Sequence, residues 1–70
     1  MLELDLQLVP FVTRHYPDLS REQKFAYAAL LEHEDWQIFD WLQGREQPQD
    51  AATRMLISTI RSTIRVADGR

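Results

Sequence analysis

Few side chains in this chain of 70 residues could do chemistry, and most have a structural explanation. His15 and His33 are the two imidazoles, and there is no cysteine. A metal centre would need three or four His, Cys or carboxylate ligands at compatible spacing. The chain has no His-x-x-x-His, and Glu32 and Glu34 beside His33 occupy neighbouring helical positions that point in different directions. No metal site is expected. A nucleophilic pair would recruit Ser20, but Ser20-Arg21-Glu22-Gln23 has the form of a capping box, which consumes the hydroxyl at a helix start. No catalytic residue is therefore assigned, and the chain is not expected to be an enzyme. Trp36 and Trp41 could form a binding pair, but in a chain this small they suit a core, with Trp41 buried and Trp36 partly exposed. Glu3 and Asp5, in a first helical turn, complement the macrodipole. Pointing outward, they would also form an acidic patch beside Met1 and Leu2, a plausible docking spot.

Size and charge narrow the partners. A chain of this length buries only about 60% of its unfolded surface, so residues 1–70 have room for one core and one domain. Residues 1–50 carry ten acids against Arg14, Arg21, Lys24 and Arg45, a balance of −6, whereas residues 51–70 carry four arginines against Asp68, a balance of +3. An acidic body argues against nucleic acid, whose phosphates draw affinity from clustered Lys and Arg. The row Arg54, Arg61, Arg65 suits a solvated helix face, since Asp50-Ala51-Ala52-Thr53 lacks the polar base-reading groups of a recognition helix. No stretch approaches the ~20 apolar residues of a membrane span, and no signal peptide is apparent, so a cytoplasmic protein is expected. Nothing forms a Gly-rich phosphate loop, and there is little room to bury a dinucleotide.

The elements that would position these residues are helices. Residues 2–8 alternate apolar and polar, the period of a strand, but Leu, Glu and Gln are strong helix formers and no hairpin turn follows. At helical spacing Leu4, Leu8 and Phe11 form one stripe and Leu2, Leu6 and Val9 another, which suits a central helix apolar over a wide face. Pro10 should kink it, and it should end before Pro17. A second helix starts after Ser20, with Phe25, Ala28, Ala29 and Leu31 expected in the core and Leu30 at its edge. Asp35 can cap a third helix holding Trp36, Ile38, Phe39, Trp41 and Leu42, which Gly44 terminates. Asp50 can cap the last, in which Ala52, Met55, Leu56, Thr59, Ile60, Thr63 and Ile64 recur at three- and four-residue steps, with fraying expected from about residue 66. The sum is an all-α, compact, single-domain bundle of four to five short helices.

Several of these residues also carry a resemblance. The first helix resembles that of the SdhE-type FAD assembly factors, which carries Arg-Gly-x-x-Glu followed by Leu-x-x-x-x-x-Pro-Phe or a variant. Met1 and Leu2 occupy the two variable places, Glu3 the glutamate, and Leu4, Pro10 and Phe11 follow in register. Tyr16, Asp18-Leu19-Ser20, Leu30-Leu31-Glu32 and Asp35-Trp36-x-Ile38-x-x-Trp41-Leu42 before a Gly and a Pro are similar in order and spacing, so the resemblance covers residues 1 to about 64. The motif Arg and Gly would precede residue 1. Met1 stands where many members have Met after that Gly, and the expectation is a start assigned at an internal methionine.

The resemblance implies a helical factor that binds the flavoprotein subunit of succinate dehydrogenase, or of the related fumarate reductase in bacteria, and promotes its covalent FAD attachment. It implies no enzyme and no cofactor held by this chain, the FAD belonging to the partner. It places the partner-binding surface at Glu3, with Met1, Leu2, Asp5 and Leu6 as its neighbours. A monomer is expected, with a dimer through the exposed N-terminal helix left open. The other reading of the same bundle is a small helical adaptor or transcriptional accessory protein with no flavin link.

Overall fold

The computed structural model describes residues 1–67 and the side chains up to residue 64. It contains four α-helices: α1 (Leu2–His15), α2 (Arg21–Leu30), α3 (Asp35–Gln43) and α4 (Ala51–Ala67), with a 3₁₀ turn at Tyr16–Asp18 between the first two. The described residues include no strand. The chain beyond Ala67 and the side chain of Arg65 lie outside the described residues.

Local chemistry sets each boundary. α1 runs through Pro10 and ends at His15, before Pro17 as expected, but Tyr16 keeps helical geometry at φ −56°, ψ −43° and the break falls at His15, at φ −120°, where the 3₁₀ turn begins. Ser20 closes a full capping box: Ser20 Oγ accepts the Gln23 amide at 3.1 Å while Gln23 Oε1 accepts the Ser20 amide at 2.9 Å. α3 is preceded by Glu34 at its N-cap, without a side-chain cap, so Asp35 is the first helical residue and not the cap. It ends on Gly44 at φ 83°, the left-handed conformation that costs other residues about 1–2 kcal/mol. Asp50 caps α4 twice over, its Oδ2 accepting both the amide and the hydroxyl of Thr53 at 3.0 Å. That pair explains how Thr53 can be buried and polar at once.

The core is one contiguous cluster from all four helices, with Phe11, Leu30, Ile38, Leu56 and Ile60 fully enclosed. α4, not α1, is the central helix, packing against each of the other three. α1 buries only Leu4, Leu8 and Phe11, and its second stripe faces outward, with Leu2, Leu6 and Val9 exposed. The face expected for α2 is also turned. Tyr27 and Leu30 are buried, whereas Phe25, Leu31, Ala28 and Ala29 are exposed. On α4 the buried line is Thr53, Leu56, Ile57 and Ile60, with Ala52 and Met55 outside. In α2 and α4 apolar residues occupy more of the circumference than one contact can cover, so partner geometry selects the buried strip. Trp41 is buried and Trp36 is 57% exposed, the split expected of the pair.

Two outcomes follow. Ile60→Ala should destabilise the protein by about 2–5 kcal/mol in urea unfolding, while Met55→Ala should stay within about 0.5 kcal/mol. The two Thr53 hydrogen bonds, backbone first, hold the Asp50 carboxyl below its ordinary 3.8. A folded-state pKa below the unfolded one means that Asp50 contributes stability above pH 3.8, lost as pH falls through the lowered value. The urea midpoint of the wild type should therefore exceed that of Asp50→Asn at neutral pH and approach it under acid.

Candidate functional site

Among the described residues, α1 exposes three large apolar side chains, more than any other helix. Leu2, Leu6 and Val9 recur at the i, i+4, i+7 spacing of one helix face, and they are 69%, 67% and 58% exposed. Pro10 continues the line one turn after Leu6 and is exposed as well. Directly behind it, Leu4, Leu8 and Phe11 are anchored in the core, so the stripe is carried on a rigid element. The ring of Phe11 lies 6.1 Å from that of Tyr27, which in turn meets Tyr16 edge-on at 5.7 Å, and burial raises the Tyr27 phenol above its ordinary pKa. This aromatic set fixes the C-terminal half of α1 against α2.

Both acids of the first turn are exposed, but they do not form a single patch. Residues two apart on a helix point about 200° apart. Glu3 therefore lies on one flank of the apolar stripe and Asp5 on the other. Met1 sits at the head of the stripe, and its amino group donates to Asp35 Oδ2 at 3.0 Å, joining the start of α1 to the start of α3. Asp35 raises the pKa of that amine, through the hydrogen bond first and its charge second. On the Glu3 side the stripe borders a groove of about 240 Å³ between α1 and α4, in which Leu6 and Pro10 face Ile64 and Arg14 and His15 stand at one end.

The other candidate residues are dispersed. His15 packs against Phe11 with ring centroids 5.7 Å apart, and His33 meets Trp41 edge-on at 4.9 Å. Among the described residues no three His, Asp or Glu side chains gather into a metal-binding group. Ser20 Oγ is occupied by its cap. No helix is long and apolar enough to cross a membrane among the described residues.

Residues 1–64 match the family model described as the flavinator of succinate dehydrogenase. The chain belongs to that family. Its curated relatives include the FAD assembly factor SdhE of Pseudomonas aeruginosa, 45% identical over 60 residues that make up 86% of this chain and 71% of that protein. The FAD assembly factor SdhE of Shewanella oneidensis is 45% identical over 58 residues, 81% of this chain and 71% of the other. That of Yersinia pestis is 37% identical over 62 residues, 89% and 70% of the two chains. No solved structure gives a significant match.

Within the flavinator family's fold, then, Glu3, Met1, Leu2, Asp5 and Leu6 all lie at the exposed end of α1. Val9 and Pro10 adjoin them as surface residues, a position that the expected wide apolar core face did not give them. The signal was present in the i, i+4, i+7 spacing of Leu2, Leu6 and Val9, which fits a docking stripe as well as a core stripe. Leu6→Ser should leave the urea-unfolding free energy within about 0.5 kcal/mol, whereas Leu8→Ala, two residues on and buried, should cost about 2–5 kcal/mol.

Proposed function

We propose that this chain binds the flavoprotein subunit of succinate dehydrogenase, or of fumarate reductase, through the outward face of α1 and promotes covalent attachment of FAD to it. The observation that carries the proposal is the coincidence of the family match over residues 1–64 with a rigid apolar stripe left uncovered on α1. Leu2 and Leu6 supply desolvated contact, Met1 an adaptable thioether, and Glu3 and Asp5 charges on either flank that set orientation. The chain holds no FAD of its own and contributes no reactive group. Its work is preorganisation: a helper that holds reactants in a near-attack arrangement can supply several kcal/mol of a barrier by position alone. It acts as a monomer on the cytoplasmic, still unassembled subunit.

The test is in-gel fluorescence of covalent flavin on the flavoprotein subunit, in cells lacking their own factor and complemented with this chain. Wild type should restore the signal. Leu6→Asp and Glu3→Arg should each lower it roughly tenfold or more, the scale of losing a central interface contact. Phe25→Asp, equally exposed but on α2, should leave it intact. Loss with Phe25→Asp and retention with both α1 variants would remove α1 as the docking face. No restoration by any form would leave only the shared fold and favour a helical adaptor.

A further inference from the structure

A second surface of different chemistry lies between α4 and the loop after α3. The loop after α3 and one face of α4 enclose a cavity of about 280 Å³ whose polar lining is Glu46, Gln47, Arg54, Ser58, Arg61 and Ser62. Arg54, Ser58, Arg61 and Ser62 stand four, three and one residue apart, so α4 presents them on a single face. The two arginines are about 10 Å apart along the helix axis, with Ser58 between them.

Arg54 is held in place and Arg61 lies beside the end of α3; neither is in an ion pair among the described residues, although the charge of Asp50 acts on Arg54. Arg54 Nη1 donates to the carbonyls of Pro48 and Gln49 at 3.0 and 2.6 Å, which pins its side chain across the loop. Those acceptors are neutral, and a guanidinium has further N–H donors to offer. Arg61 lies against Gly44, so close that a Cβ at that position would sit 2.9 Å from its Nη2. Gly44 thus serves both the left-handed turn and the seat of this side chain. The negative end of the α3 dipole accounts for a cation there, yet Arg61 makes no hydrogen bond and no ion pair among the described residues. Arg45, by contrast, is paired with Asp40 at 3.2 Å. The acid lining the cavity, Glu46, is exposed and forms no ion pair among the described residues.

We propose that this cavity is a binding site for a phosphate-type oxyanion, of the class of a pyrophosphate or a phosphorylated small molecule. Planar guanidinium forks match tetrahedral oxyanions, and hydroxyls at one-turn spacing supply donors between them. A single phosphate is reached by one arginine and a neighbouring serine. A diphosphate spans the interval from Arg54 to Arg61 over Ser58. Glu46 opposes such a ligand by charge and is the built-in competitor. The surface is independent of the α1 stripe, and it gives the basic final helix of an otherwise acidic chain a ligand.

The test is a titration of the full chain with inorganic pyrophosphate, following backbone amide shifts in ¹⁵N-resolved spectra, with sodium chloride at matched ionic strength and citrate as controls. Saturable shifts at Ser58, Arg61 and Ser62 are expected with pyrophosphate and not with either control. Arg61→Gln should weaken binding about tenfold or more, the worth of one charged hydrogen bond, and Ser58→Ala should weaken it less. Glu46→Gln should tighten it, and Arg14→Gln, outside this cavity, should change nothing. Far-UV circular dichroism of each variant confirms that it is folded. Equal shifts with citrate or chloride, or undiminished binding by folded Arg61→Gln and Ser58→Ala together, would overturn the proposal.

Discussion

The structure depends on the buried line of α4. Leu56, Ile57 and Ile60 lie at the centre of the core, and α1, α2 and α3 each lean on that helix. A protein this small has no disulfide to hold it, and the area it removes from water barely offsets the entropy of ordering the chain. Concentrating the apolar contacts of three helices onto one is the solution adopted here. It explains why the start of α4 is so firmly built. Asp50 caps it through two hydrogen bonds to Thr53, and Arg54 fastens the preceding loop through two carbonyls.

Putting α4 at the centre frees α1 to serve as a surface. α4 buries one strip, Thr53, Leu56, Ile57 and Ile60, on which the other three helices pack, and α1, lying to one side, likewise buries one strip and leaves the rest outside. α1 spends Leu4, Leu8 and Phe11 on the core and leaves Leu2, Leu6, Val9 and Pro10 to the outside. Apolar side chains left in a row on a rigid helix are unfavourable in a free monomer and become useful once covered. That arrangement agrees with a factor that works by holding a partner, and it needs no reactive group on the chain.

The two proposed surfaces differ in charge as well as in position. Glu3 and Asp5 flank the α1 stripe, whereas Arg54 and Arg61 line the cavity beneath the loop after α3, with Glu46 as the acid there. Gly44 links the fold to the second surface, because the same lack of a Cβ that permits φ 83° leaves space for the guanidinium of Arg61. Pro48, buried beside it, supplies through its carbonyl one of the anchors of Arg54.

Sequence by itself determined what local chemistry determines. The Ser20–Gln23 box, the stop before Pro17, the Gly44 terminus, the Asp50 cap and the all-helical class depend on contacts within a few residues, and the family relationship was legible in the spacing from Glu3 to Leu42. Tertiary structure decided which faces are buried. Leu2–Leu6–Val9 and Leu4–Leu8–Phe11 are equivalent as patterns, and Phe25 and Met55 look as suited to a core as Tyr27 and Ile57. Helical periodicity states that a stripe exists, but the strip that loses its water is chosen by the angle at which neighbouring helices cross. The same holds for the cavity over Arg54 and Arg61: their spacing puts them on one face, and only the loop folded back across α4 makes that face a cavity.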